Sequence, residues 1–179
     1  MRVIAGEYRS RRLLSLPGLE TRPTPDRLRE TLFNILAPMI EGSVFVDAYA
    51  GTGSVGIEAI SRGARLAVFI EKDREAVEVI KANLASLDIK SRGRIIRGPA
   101  ALHLAGIPAD IVFLDPPYPK DREYQAALDA ISAQPPALTI VQHSVRHAIA
   151  DDYESLVRTR TVRQGDNALS FFKAERRYR

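Results

Sequence analysis

Two short stretches of this sequence hold side chains whose types and spacing could do chemistry. The first is Asp47-Ala48-Tyr49-Ala50-Gly51-Thr52-Gly53-Ser54-Val55-Gly56, in which Gly51, Gly53 and Gly56 satisfy G-x-G-x-x-G and Glu71 follows 20 residues after Gly51. Glycines at this spacing let a chain turn sharply from strand into helix and let a ligand approach the backbone. The downstream acid can then accept hydrogen bonds from ribose hydroxyls. The second stretch is Asp115-Pro116-Pro117-Tyr118, about 65 residues further on. It suits work on an aryl amine, a poor nucleophile because its lone pair is delocalised into the ring. A carboxylate and a proline-fixed carbonyl could accept its two N–H bonds, orient the nitrogen and relieve its developing positive charge. Tyr118 would offer a face on which an extruded base stacks.

The glycine pattern fits two ligands. A dinucleotide places its pyrophosphate at the helix N-terminus, where a nearby anion is unfavourable. Asp47 lies four residues before Gly51, at the end of the expected strand, with its carboxylate expected to face the ligand. That suits S-adenosyl-L-methionine, which carries a sulfonium and an ammonium and no phosphate. Asp47, Tyr49, Ala50, Gly51, Thr52, Gly53, Glu71 and Lys72 are therefore the expected donor-binding residues. Tyr49 would pack either on the donor or into a sheet–helix interface. Asp115, Pro116, Pro117 and Tyr118 are the expected catalytic group for transfer to a base amine. Three readings stand beside this one: adenine-N6 methylation of DNA or RNA, a nicotinamide-dependent oxidoreductase, and a non-catalytic RNA-binding module.

The elements needed to position these residues are legible from hydrophobic periodicity. Short β-branched runs at Val44–Val46, Leu66–Ile70, Gly93–Ile96, Ile111–Leu114 and Leu138–Val141 alternate with amphipathic stretches at Val55–Ser61, Arg74–Ser86 and Tyr124–Ser132. Strands alternating with helices predict a doubly wound α/β fold with a parallel sheet. Both chemical stretches then lie at the carboxyl ends of strands, in one crevice. Tyr153–Val162 and Ala168–Phe172, joined by Gln164-Gly165-Asp166-Asn167, predict an antiparallel hairpin at one edge. Before the core, residues 2–16 suggest a small hairpin, Thr21–Pro25 a loop, and Asp26 to about Ala37 a helix capped by Thr24 with Pro25 at its first position. This gives an N-terminal extension over residues 1–40 packed on a core of 41–179.

Composition narrows the partners. The 179 residues contain no cysteine, which excludes disulfides, thiolate metal sites and a cysteine nucleophile. His103, His143 and His147 are not spaced as metal ligands, so no metal is expected; His143, just after a strand, is a cleft candidate that reads more readily as an ordinary hydrogen-bonded histidine. There is no signal-like stretch or membrane-spanning run, so a soluble, cytoplasmic and monomeric protein with no membrane partner is expected. Residues 1–29 carry a net charge of +4 and residues 157–179 carry +5, whereas the middle carries −5. Basic ends on an acidic-leaning body suggest a polyanion gripped from the ends, with Arg9, Arg11, Arg12, Arg22 and Arg29 as the expected RNA contacts.

Taken together, Arg2-Val3-Ile4-Ala5-Gly6, Thr21-Arg22-Pro23-Thr24, Arg29-Glu30-Thr31-Leu32-Phe33, Asp47–Gly56, Glu71-Lys72-Asp73, Phe113–Tyr118 and Gly165-Asp166 resemble the bacterial RsmD-type 16S rRNA guanine-N2 methyltransferases over essentially the whole chain. The resemblance implies a class I S-adenosylmethionine-dependent methyltransferase fold with a seven-stranded, mostly parallel sheet. It also implies a donor held by Asp47–Gly56 and Glu71, and a target amine held by Asp115 and Pro116. The implied substrate is 16S rRNA, alone or within a small-subunit particle. Two positions depart from the family's pattern. Gly98-Pro99-Ala100 stands where Gly-Asp-Ala usually holds the adenine amine, and Gln142-His143 where Glu-His is usual.

Overall fold

Near-continuous burial along Val44–Ala48 (β1), Leu66–Glu71 (β2) and Ile111–Leu114 (β4) is what strands covered on both faces require. The computed structural model describes residues 1–17, 24–117 and 121–175. With Gly93–Arg97 (β3), Leu138–Ser144 (β5), Asp152–Tyr153 (β6), Leu156–Gln164 (β7) and Asn167–Ala174 (β8), they form one sheet in the order β3-β2-β1-β4-β5-β8-β7-β6. Strands β1 to β5 pair in parallel, and β8, β7 and β6 add in antiparallel fashion. The seven expected strands are thus joined by an eighth of only two residues at the edge. It arises because Glu154, with φ of +51°, turns the chain, so that the single expected strand Tyr153–Val162 splits into β6 and β7.

Helices Asp26–Ile40 (α1), Ser54–Ser61 (α2) and Arg74–Ser86 (α3) cover one face of the sheet, and Ala100–His103 (α4) and Asp121–Ser132 (α5) the other. The helix α1 buries Leu28, Leu32, Phe33, Leu36 and Ile40 at the spacing of one helical stripe. Ile40 extends that stripe, which carries the helix past the expected stop at Ala37. Its cap is Pro25 rather than Thr24. The Thr24 hydroxyl instead donates to Gln142 Oε1 of β5 at 3.3 Å.

The expected N-terminal hairpin takes the form of a short arm whose halves meet at the antiparallel bridge between Arg2 and Arg12, with backbone bonds from Val3 N–H to Arg11 O and Ser10 N–H to Val3 O at 2.9 Å and from Leu13 N–H to Met1 O at 3.0 Å. The pairing stays short because other backbone donors of the arm are committed to the helices. Ile4 and Ala5 N–H donate to the Glu58 carboxylate on α2 at 2.9 and 3.0 Å, and Tyr8 N–H donates to Ser61 Oγ at 3.0 Å. The Asn83 side chain on α3 accepts from Leu14 N–H at 2.7 Å and donates to the Leu14 and Thr52 carbonyls. The arm is therefore stitched to α2, α3 and the glycine loop.

Candidate active site

The chain reverses its winding direction between β1 and β4, which is where an open α/β sheet forms its ligand crevice. Ala48 of β1 pairs with Ile70 of β2 and Leu114 of β4. One residue further on, Tyr49, Glu71 and Asp115 emerge side by side at the three strand ends. The two chemical stretches thus share one crevice.

The glycine loop has the backbone its sequence demands. Gly51 and Gly53 have φ of +56° and +80°, and Gly53 starts α2. Gly56 faces β2 so closely that an added Cβ would lie 2.4 Å from Phe69 Cε1, so only glycine lets the helix pack there. Glu71 Oε2 accepts from Gly51 N–H at 2.8 Å and its Oε1 from Asp73 N–H at 2.9 Å. A partly exposed carboxylate held against the glycine turn suits a ribose. Lys72 is exposed beside it.

Asp47 lies differently from the sequence expectation. Its side chain does not face the crevice but is 2% exposed beneath the loop, where Oδ2 accepts from Gly56 N–H at 2.9 Å. Burial pushes its carboxyl well above the ordinary range, the Gly56 bond opposes this, and the negative charges of Asp115 and Glu71 add to the rise.

Because the folded state holds this proton more tightly than the unfolded chain, Asp47 favours folding at low pH. That contribution is lost as pH rises from the ordinary carboxylate range through the raised folded value. Asp47→Asn keeps an acceptor for Gly56 and removes the ionisation. It is expected to flatten this part of the pH–stability curve and raise the melting temperature at neutral pH. Thermal melts across pH check this.

Tyr49 has φ of +64°, a conformation that side-chain-bearing residues seldom adopt. Its ring packs against the core beneath α5 and its hydroxyl donates to Glu123 Oε2 at 3.1 Å. Burial first, then the Glu123 charge, raises the Tyr49 hydroxyl's pKa, which keeps it a donor. Of its two expected placements the structure shows the sheet–helix interface. Ala50 is buried and Thr52 half-buried, its carbonyl held by Asn83.

Asp115 is half-buried, Pro116 buried and Pro117 exposed. Tyr118 lies outside the described residues, as does Arg22. Pro99 stands at the N-terminal cap of α4, just after β3, and has no side chain able to accept from an adenine amine. His143 is a core histidine. Its ring nitrogens lie 2.9 Å from Ser144 O and 2.8 Å from Ser170 Oγ, and burial lowers its pKa. Among the described residues no group of side chains could hold a metal ion.

The expected arginines separate into three kinds. Arg9 and Arg12 are exposed on the arm. Arg11 donates to Ser86 O, the last carbonyl of α3, at 2.9 Å, where a cation complements the helix dipole. Arg29 as an RNA contact is corrected. It is 1% exposed and donates to Arg2 O at 2.6 Å and Asp26 Oδ1 at 3.1 Å, which makes it a strut between arm and α1. Sequence reading passed over Glu58 and Asn83. Glu58 had one signal, a lone acid in the otherwise uncharged helix SVGIEAIS. A charge at such a position is kept only where partners meet it.

A parallel sheet with this strand order, an acid-bearing glycine loop at its switch point and Asp-Pro-Pro at the neighbouring strand end define a class I methyltransferase fold. The chain belongs to the family described as conserved hypothetical protein 95, whose model matches residues 1–173, and its relatives are RsmD-type methyltransferases. It is 33% identical to YlbH of Bacillus subtilis, provisionally named an rRNA methyltransferase, over 97% of this chain and 98% of that one. It is 45% identical to ribosomal RNA small subunit methyltransferase D of Escherichia coli over 66% of this chain. That match spans 60% of the relative's own length. Among solved structures, Escherichia coli yhhF, provisionally described as a methyltransferase, superposes with a TM-score of 0.87 at 31% identity and covers 99% of both chains.

Proposed function

We propose that this protein transfers a methyl group from S-adenosyl-L-methionine to the exocyclic N2 amine of a guanine in 16S ribosomal RNA, free or within a small-subunit particle. The observation that carries the reading is the emergence of Glu71, the glycine loop and Asp115-Pro116 at adjacent strand ends of one crevice. Its support is chemical. In this reading Glu71 receives ribose hydroxyls, with Lys72 beside it, and the positive-φ turn of Gly51 and Gly53 leaves space for a ligand against the backbone. In the same reading Asp115 and the Pro116 carbonyl accept the two N–H bonds of a planar amine. That would aim the nitrogen's lone pair at the methyl group for direct in-line transfer, with Tyr118 stacking on the base: the N–C bond forms as the C–S bond breaks, S-adenosylhomocysteine leaves, and the nitrogen's surplus proton passes to solvent. The positive charge that develops on nitrogen falls next to the Asp115 carboxylate, where it is stabilised. No covalent intermediate and no metal are required. The small-subunit names of the relatives support the RNA substrate. The proposed working form is a cytoplasmic monomer; among the described residues no helix is long and apolar enough to cross a membrane.

The deciding experiment incubates the protein with radiolabelled donor and either 16S rRNA or small-subunit particles, then digests the RNA to nucleosides. N2-methylguanosine is the expected product. N6-methyladenosine would replace the guanine reading, and tight NAD binding without donor binding would replace the enzyme class. Arg9 and Arg12 are proposed as phosphate contacts. Replacing both by alanine is expected to weaken RNA binding uniformly across sequences. It should also reduce the slope of log affinity against log salt by about 0.7–0.9 for each phosphate no longer neutralised. Binding titrations at several salt concentrations read this directly.

A further inference from the structure

Between the N-terminal arm and α1 lies a cavity of about 320 Å³, lined by Arg2, Val3, Ile4, Arg9, Ser10, Asp26 and Glu30. That volume falls within the range of small-ligand pockets, about 300–1,000 Å³. Its charges are mixed and largely uncompensated. The Arg2 and Arg9 guanidiniums and the Glu30 carboxylate have no ion-pair partner among the described residues, and Asp26 keeps a half-exposed carboxylate beside Arg29. The walls are rigid, because Glu58 and Ser61 fix the arm from α2 and Arg29 ties Arg2 O to α1. Ser10, on the lip, holds a φ of +68°.

The segments that wall the cavity continue into residues that touch the glycine loop and β5. Arg2 follows Met1, whose Sδ lies 3.6 Å from Thr52 Oγ1 in the glycine loop. Asp26 is two residues after Thr24, whose hydroxyl meets Gln142 on β5. An RNA strand feeding a base into the crevice would pass its neighbouring nucleotides over this cavity.

We infer that the arm–α1 cavity is a nucleotide subsite that reads a base flanking the target, taking a guanine in preference to a uracil; this rests on the RNA substrate proposed above. A bare polyanion would be repelled by Asp26 and Glu30. A nucleotide brings both signs of hydrogen bonding, with phosphate acceptors for Arg2 and Arg9 and base donors for the carboxylates. Guanine presents adjacent N1–H and N2–H donors that one carboxylate accepts together, whereas uracil flanks its single N–H with two carbonyls that a carboxylate repels.

The test is a nitrogen–proton NMR titration of the full chain with GMP, UMP and inorganic phosphate. GMP is expected to shift the amides of Val3, Ile4 and Ser10, with an affinity about tenfold above that of UMP. Glu30→Gln should erase the difference between the nucleotides, while Arg2→Ala should weaken both nucleotides and phosphate. With 16S rRNA, Arg2→Ala should raise KM severalfold and leave donor affinity unchanged. Equal responses to GMP and UMP, discrimination that survives Glu30→Gln, or GMP shifts confined to the crevice would each overturn the assignment. The titration needs no turnover, so failure to methylate rRNA would sink the proposed activity without deciding this subsite.

Discussion

Asp115→Ala is expected to lower the rate of methyl transfer to RNA by about a thousandfold or more while leaving donor affinity intact. The reason lies in where the charge appears. The aryl amine must give up conjugation as it attacks, and positive charge builds on nitrogen only in the transition state. A carboxylate accepting one of its N–H bonds is therefore worth far more at the barrier than in the ground state, and its loss falls on kcat rather than KM. Asp115→Asn keeps one acceptor without the charge and should fall between the two. The donor side adds a second signature. Burial chiefly raises the Asp47 carboxyl's pKa and the Asp115 charge adds to the rise, so removing that charge should ease ionisation of Asp47 beneath the glycine loop. Donor affinity should then hold or rise slightly. Single-turnover kinetics with radiolabelled donor, beside calorimetry on the same variant, separate the outcomes. Loss of donor binding in a folded variant would refute this division of labour.

Legibility differed sharply between the sheet and what is sewn onto it. The strand ends bearing Glu71 and Asp115 could be placed from sequence because parallel strands are apolar along their length and their chemistry begins where the apolar run stops. The glycine loop was equally readable, since φ values near +56° and +80° and the close approach of Phe69 leave few residues that fit. Asp47 was misjudged because charge and chain position do not tell which side of a strand end a carboxylate takes. Here the Gly56 N–H under the loop drew it inward. Arg29 was misread for a related reason. A guanidinium on a helix reads as solvated unless one knows that a neighbouring backbone, Arg2 O, needs a donor. The N-terminal arm contains alternating residues but pairs only briefly around Arg2 and Arg12, because the N–H groups of Ile4, Ala5 and Tyr8 go to side chains more than 50 residues away on α2. Long-range side-chain-to-backbone bonds leave no periodicity in a sequence.

The arm's attachment gives the largest stability effect expected from a single methyl group. Gly6 has φ of +86°, and a Cβ added to it would fall 1.9 Å from the Ser61 carbonyl oxygen of α2. A backbone atom at the end of a helix fully packed on the sheet cannot swing aside as a side-chain tip can. Gly6→Ala must therefore either push the arm off α2 or adopt another conformation. Displacement breaks the Glu7 N–H bond to Ser61 O at 2.8 Å and strains those from Ile4 and Ala5 to Glu58. Glu58 is fully buried, so a carboxylate stripped of those donors keeps only Arg62 at 2.9 Å. Overpacking costs about 1–3 kcal/mol and the left-handed backbone about 1–2 kcal/mol more, together roughly 2–5 kcal/mol. For a chain of this size that is a fall in melting temperature on the order of 5–15 °C. Gly42→Ala supplies the control. Gly42 has φ of +72° with nothing within 4 Å of an added Cβ, so it carries the backbone penalty alone. The gap between the two variants isolates the collision with α2, and equal melting temperatures would show that the arm yields freely. Amide exchange distinguishes detachment from global loss: in Gly6→Ala the amides of Ile4, Ala5 and Glu7 should lose protection while those of β1 and β4 retain theirs.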